Sequence, residues 1–383
     1  MSTRATIITT LKHNVGDDFV REGILHLLRQ VRGDVACHFI HKHIPLTSRR
    51  EISWFYSLGV SKFLDRLRPG LGLRASCLID RLPVVRSLDK VHDCDLLVQS
   101  GAPAYWINAH NTCDNTEWWK PLIERRWNAR VSQGLFFNIA VGTCQHYHSD
   151  GREFAAAKAV LDYIRLFHQK CAITTVRDHL SANVLKLAGI DTTPLPCTSI
   201  FAVDELGIDA KPGEYVALNY MRGGGHYEFG QKIDLDRWEN TFVEFVTRLS
   251  RKENCVLVCH DQKELALAKR ILPAIPIKYS KHHRDYLEFY SRAKYGILNR
   301  VHGAFAMGSM GKPAVVIGAD SRARMAGMIG LESVFVNDAN LDYLEKAVQK
   351  LIAETITYPE KMRDLKSETR KRYTELIKRA FSI

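Results

Sequence analysis

Along the whole chain, short runs of apolar and β-branched residues alternate with longer stretches in which apolar positions recur at helical spacing. That alternation predicts parallel strands joined by covering helices. In the first half, strands are expected at Ala5 to Thr9, Val35 to Phe39, Asp95 to Gln99, Leu135 to Val141 and Cys171 to Thr175. Helices are expected at Asp17 to Val31, Glu117 to Val131, Arg152 to His168 and His179 to Leu187, the last closing at Gly189.

Thr192 to Gly213 holds Pro194, Pro196, Pro212, Gly207 and Gly213 without a sustained period, which reads as a connector. Beyond it the alternation restarts. Strands are expected at Tyr215 to Tyr220, Cys255 to Cys259, Tyr295 to Leu298 and Ala314 to Ile317. The matching helices are Asp234 to Ser250, Gln262 to Ile271, His283 to Ala293 and His302 to Met310. The expected fold is α/β, with two Rossmann-like domains at 1–200 and 206–359 facing a cleft. The stretch 360–383, with eight basic and four acidic residues, is expected to form a terminal helix across their junction. In such folds ligands sit at the C-terminal ends of the strands.

The chain has 383 residues, enough for two domains, and 54 Lys and Arg against 42 Asp and Glu, a formal charge of +12. The excess favours anionic partners. Nine scattered cysteines with no paired CxxC point to reduced thiols and a cytoplasmic setting. No run is long and apolar enough to span a membrane, and the N-terminus enters a strand directly without a signal peptide's apolar core. Arg49 to Ser87 carries eight basic residues against three acidic ones, interleaved with Trp54, Phe55, Tyr56 and Phe63. A basic and aromatic stretch of that kind suits a solvated helix face or peripheral docking on the inner membrane face, where each basic residue contributes about 1 kcal/mol. No stacking motif for nucleic acid is present.

Several strand ends carry chemistry. Asn14-Val15-Gly16-Asp17-Asp18 follows the first strand, its glycine permitting a turn and its carboxylates suiting a helix N-terminus or an acceptor site. Gln99-Ser100-Gly101-Ala102 ends the third strand in small residues. Val176-Arg177-Asp178 places a guanidinium where it could grip an anion or merely pair with Asp178. Arg222-Gly223-Gly224-Gly225 lacks both the P-loop and the dinucleotide signature, and reads as a mobile turn or a phosphate-contacting loop. Asn299-Arg300-Val301-His302-Gly303 sets a near-neutral acid or base beside a fixed cation. Cys144-Gln145-His146-Tyr147-His148 and Cys259-His260-Asp261 each lack a second ligand pair, so no metal is expected.

Taken in order, Asn14-Val15-Gly16-Asp17, Asp95 to Gly101, Val176-Arg177-Asp178, Arg300-Val301-His302-Gly303, Gly311-Lys312-Pro313-Ala314 and Asp320-Ser321-Arg322 resemble the polysaccharide pyruvyl transferase family. The resemblance implies a fold like that of B-type glycosyltransferases, with the acceptor on the first domain and the donor on the second. It also implies phosphoenolpyruvate as the donor substrate, no cofactor, and a sugar, oligosaccharide or lipid-linked glycan as acceptor. Arg177, Arg300 and His302 are the implied catalytic residues, with Asn14, Gly16, Asp17, Gly101, Asp178, Arg222 and Arg322 around the substrates. Arg322 stands where the family often has lysine, and Pro196-Cys197 where aspartate commonly follows proline. A B-type glycosyltransferase using a nucleotide sugar and a non-catalytic binder of anionic glycan are the alternatives.

Overall fold

A computed structural model describes residues 3–11, 14–41, 67, 94–107, 134–225 and 227–382. The first sheet holds β1 (Thr3–Thr9), β2 (Val35–His41), β3 (Leu96–Ser100), β4 (Pro103–Tyr105), β5 (Leu135–Thr143) and β6 (Ile173–Val176). Its order is β2-β1-β3-β5-β6, with β4 pairing the far end of β5, and every pairing is parallel. Helices α1 (Val15–Arg32), α2 (Lys158–Gln169) and α3 (His179–Leu187) pack on it. The second sheet holds β7 (Tyr215–Leu218), β8 (Cys255–Cys259), β9 (Ile277–Tyr279), β10 (Ala293–Leu298), β11 (Ala314–Gly318) and β12 (Glu332–Phe335). It is also all parallel, in the order β9-β8-β7-β10-β11-β12. Strands such as β3 and β11 are buried along their whole length, as parallel strands covered on both faces must be. Strand order reverses between β1 and β3 and again between β7 and β10, which opens a crevice in each sheet.

Between the sheets α1 is buried almost all round. Asn14 caps it by accepting from the Gly16 N–H at 3.1 Å, Asp17 and Asp18 occupy its first turn, and Gly33 at φ 65° ends it. The proline- and glycine-rich connector is more ordered than its composition suggests. It forms a 3-10 turn, Thr198–Phe201, and a short helix α4 (Ala202–Leu206), and the turn is wholly buried against α1. The reason is Gly23, where any Cβ would stand 1.7 Å from the Thr198 carbonyl oxygen. Only a bare Cα admits that approach.

The second half adds α5 (Leu235–Leu249), α6 (Gln262–Ile271), α7 (His283–Ser291), α8 (Val301–Ser309), a 3-10 segment Ser321–Ile329 and α9 (Leu341–Phe381). The terminal helix starts well before Glu360, because Pro359 lies inside it and does not end it. Its flanks hold it through the proline: Tyr358 donates to the Ile329 carbonyl at 2.8 Å, and Met362 is buried. Leu344, Ala347 and Leu351 join the second sheet's core, while Tyr373, Ile377 and Ala380 join the core around Phe137 of the first. The expected helix Arg152 to His168 is broken at Ala157 into a 3-10 turn and α2, with Phe154 fully buried in that turn. The expected helix Glu117 to Val131 and the basic stretch Arg49 to Ser87 lie outside the described residues. No helix among the described residues is long and apolar enough to cross a membrane.

Tyr373 is 1% exposed and donates to the Pro196 carbonyl at 3.1 Å, tying α9 to the connector. Tyr373→Phe is expected to lower the unfolding free energy by about 1–2 kcal/mol, since it leaves a buried carbonyl short of its donor. Urea unfolding with an unchanged m-value checks this, and a midpoint equal to the native one would show that the bond carries no stability.

Candidate active site

Both strand-order reversals open into one cleft of about 570 Å³, lined from the first sheet by Thr10, Asn14, Asp17, Trp106 and Arg177 and from the second by His260, Arg300, His302 and Arg322, among others. Of the residues expected around substrate, Asn14, Gly16, Asp17, Arg177, Arg300, His302 and Arg322 reach it. Gly101, Asp178 and Arg222 do not line it.

Gly16 acts by closeness. Its φ is not positive, and a Cβ there would lie 2.5 Å from His302 Nδ1, so the imidazole rests against the bare N-terminal turn of α1. Arg177 leaves the end of β6 and lies along β5 in the same manner. A Cβ on Gly142 would stand 2.5 Å from its Nε. The arginine is 1% exposed, its Nε and Nη1 have no hydrogen-bond partner, and it forms no ion pair among the described residues. Asp178 does not offset it by pairing. Its Oδ1 accepts from the Ser181 N–H and hydroxyl, both at 2.7 Å, as the cap of α3, and burial raises its carboxyl.

Arg300 and Arg322 differ from Arg177 in bringing carboxylates with them. Arg300 Nε donates to Glu264 at 2.5 Å and Nη2 to Asp261 at 2.6 Å, while its backbone N–H donates to Asn219 at 2.9 Å. Arg322 grips Asp320 through two bonds of 2.8 and 2.6 Å. Both are paired cations, because carboxylates distant from Arg300 in sequence fold onto it and Asp320 turns back onto Arg322. Arg222 is exposed beside Asp236 at 3.9 Å, outside the cleft; its neighbours Gly224 and Gly225 line the cleft instead. Gly101 has a packing role, since a Cβ would come within 2.3 Å of the Ala140 carbonyl oxygen.

His302 occupies the first turn of α8 with its Nε2 3.8 Å from the Cys197 Sγ. Burial pushes its pKa well below the ordinary value, and Arg177, Arg322, His260 and Arg300 push in the same direction. These influences all disfavour the charged imidazolium, against the near-neutral titration suggested by the residue type. The Cys259-His260-Asp261 turn is spent on structure: His260 Nε2 pairs with the Tyr290 hydroxyl at 2.8 Å, and Asp261 caps α6 while holding Arg300. Burial and Arg300 likewise hold His260 neutral. The Cys144 to His148 stretch joins the halves, Gln145 and Ser321 exchanging hydrogen bonds of 3.0 and 2.9 Å. Among the described residues no three metal-ligating side chains gather.

Sequence reasoning overlooked Asn219 and Asn299. Asn219 Nδ2 donates to the Val258 carbonyl at 2.8 Å, and Asn299 joins the Met221 N–H to the Ile317 carbonyl, both bonds 2.7 Å. These amides clamp the ends of four strands beneath the cleft. An asparagine directly after each of two apolar strands is the signal that could have found them.

The two parallel sheets facing a cleft define a B-type glycosyltransferase fold. Similar structures include a UDP-N-acetylglucosamine 2-epimerase from Neisseria meningitidis bound to UDP-GlcNAc (9% identity, 98% of this chain and 99% of that one, TM-score 0.54). A putative enzyme of the same name from Listeria monocytogenes has 11% identity, coverage of 94% and 91%, and a TM-score of 0.54. The Methanocaldococcus jannaschii enzyme in complex with UDP-GlcNAc and UDP has 12% identity, coverage of 91% and 92%, and a TM-score of 0.52. At these identities the likeness concerns the fold. No curated protein matches the chain significantly. The profile described as "Polysaccharide pyruvyl transferase" matches residues 14–321, and the chain belongs to that family.

His260 and His302 have folded pKa values depressed below the ordinary 6.5, so below that pH the unfolded chain binds more protons than the folded one. Stability is expected to fall as pH drops from about 6.5 toward the depressed values and to be flat above it on their account. Urea midpoints from pH 7.5 to 5.0 check the sign, and His260→Asn with His302→Asn should shallow the slope.

Proposed function

We propose that this protein transfers the pyruvyl group of phosphoenolpyruvate to two hydroxyls of a sugar acceptor, forming a cyclic ketal and releasing phosphate. The observation that carries the reading is Arg177: a buried guanidinium with unpaired donors, facing a cleft shared with His302, in a chain of the pyruvyl transferase family. A buried charge without a counter-ion is costly, and a ligand anion relieves it. Phosphoenolpyruvate supplies a phosphate and a carboxylate.

In the proposed reaction, protonated His302 gives its proton to the methylene carbon. That C=C electron pair becomes the new C–H bond and leaves C2 electron-poor, and an acceptor hydroxyl attacks C2. Asp17, which has no ion-pair partner among the described residues, is placed to take the hydroxyl's proton. The C2–O bond to phosphate then breaks with its electrons on phosphate, and the second hydroxyl closes the ketal, its proton leaving with phosphate or returning to His302. The sum is phosphoenolpyruvate plus diol giving ketal plus phosphate.

Burial and the surrounding cations lower the His302 pKa, so on this reading the donor's negative charges must favour its protonation. Phosphoenolpyruvate binding near neutral pH is expected to take up about one proton. Calorimetry in buffers of different ionisation enthalpy reads this number directly, and the uptake should vanish in His302→Gln. Donor binding with no proton uptake would remove His302 as the acid.

Arg177→Ala is expected to weaken phosphoenolpyruvate binding about 10- to 100-fold, the worth of a charge-assisted bond, with only partial recovery in Arg177→Lys. His302→Gln should weaken donor binding, because the linked proton can no longer be taken up, and cut phosphate release about 10²- to 10⁴-fold. A panel of free, nucleotide-linked and lipid-linked sugars, followed by phosphate release and acceptor mass gain, tests the reaction. Release of nucleoside diphosphate from a nucleotide sugar without phosphoenolpyruvate would favour a glycosyltransferase instead.

A further inference from the structure

Two aromatic side chains in the cleft have no part in the donor chemistry. Trp106 follows β4 of the first sheet, and Tyr227 follows the Gly223 to Gly225 turn beyond β7 of the second. Their ring centroids are 5.3 Å apart at an interplanar angle of 79°, an edge-to-face pair joining the two halves. The Arg322 guanidinium lies 5.2 Å from the Tyr227 centroid. The indole Nε1–H of Trp106 is buried and has no hydrogen-bond partner among the described residues.

An indole N–H can only donate, and a buried donor left unmade costs about 1–3 kcal/mol. Trp106 lines the cleft, so a small rotation of the indole, whose Nε1 is covered in this structure, would let an acceptor atom of a bound molecule relieve that cost. The surroundings narrow the chemistry of that molecule. Aromatic faces carry partial negative charge and attract weakly positive C–H groups, so the wall suits a ring with an apolar face and hydroxyls at its rim. An anionic occupant is disfavoured there, because Arg322 is already closed onto Asp320 by two bonds and offers no open fork to a diphosphate.

We propose that Trp106 and Tyr227 form the acceptor subsite, seating a neutral pyranose ring with one hydroxyl or ring oxygen accepting from the Trp106 N–H. The inference rests on the pyruvyl transfer reading for the word acceptor, while the pyranose contact itself is testable alone. The subsite takes one wall from each half and is complete only while the two sheets face each other.

Saturation-transfer NMR on the full chain, using the methyl glycosides of glucose, galactose, mannose and N-acetylglucosamine as probes, tests the contact. Phosphoenolpyruvate affinity is measured by calorimetry on the same samples. At least one glycoside is expected to show transfer concentrated on one face of its ring. The signal should fall by about fivefold in Trp106→Leu and in Tyr227→Leu, in line with the worth of an aromatic contact. Trp106→Phe, which keeps a ring but loses the donor, should be intermediate, and phosphoenolpyruvate affinity within about twofold of native shows that each variant is folded around the donor site. Absence of transfer from every glycoside, an unchanged signal in both leucine variants, or Trp106-dependent transfer to uridine monophosphate alone would overturn the subsite. Trp106-dependent glycoside binding in a protein that ignores phosphoenolpyruvate would uphold the pyranose contact and sink the donor reading.

Discussion

The cleft is organised around the buried guanidinium of Arg177, which has no ion-pair partner among the described residues. Arg177 is 1% exposed, and its Nε and Nη1 meet no acceptor among those residues, so the fold carries a desolvation cost that packing elsewhere must offset. Much of the local architecture follows from tolerating it. Gly142 lets the guanidinium lie flat on β5, and Asp178, the nearest carboxylate in sequence, is held by Ser181. Arg300 and Arg322 arrive with carboxylates attached. They shape the wall as charge pairs, and on the proposed reading Arg177 is the cation that meets the donor.

Such a site works only if the two sheets hold a fixed separation, and the chain secures that through elements crossing between them. The hydrophobic core is shared: residues of α1, the connector turn, α7, α8 and α9 form one cluster with Phe137 and Leu298 from opposite sheets. Polar contacts fix its register. Glu22 of α1 lies 3.3 Å from His283 of α7, Lys366 of α9 reaches Asp204 at 2.8 Å, and Gln145 and Ser321 join the loops after β5 and β11. Gly16 and Gly23 matter for the same reason. Each is a place where one layer touches another with no room for a methyl group.

Much of this was legible along the chain because strand ends announce themselves. An apolar run followed by Arg177, or by Arg300 and His302, places polar side chains at the C-terminal edge of a parallel sheet, and the structure brings these together. The partners were not legible. Asp261 and Glu264 reach Arg300 across 39 and 36 positions, and nothing local in Asn299-Arg300-Val301 indicates that its charge is already met. The aromatic wall was hidden in the same way, since Trp106 and Tyr227 become neighbours only when the halves face each other. The start of the terminal helix was not legible either: Pro359, a local helix breaker, lies inside α9, with Tyr358 and Met362 buried on either side.

The cations that on the proposed reading attract an anion also lower the pKa of the cleft's imidazole. Burial is the largest influence keeping His302 neutral, and Arg177 is the strongest of the charges acting with it. On the proposed reading both effects change when the donor arrives, because its negative charges meet Arg177 and give an imidazolium a counter-ion. On that reading the same guanidinium that disfavours the imidazolium also recruits the anion that favours it. The neighbour 3.8 Å from His302 Nε2 is the Cys197 sulfur and not a carboxylate. On the proposed reading, protonation therefore depends on the bound anion, and proton transfer is confined to a cleft that already holds the molecule to be protonated.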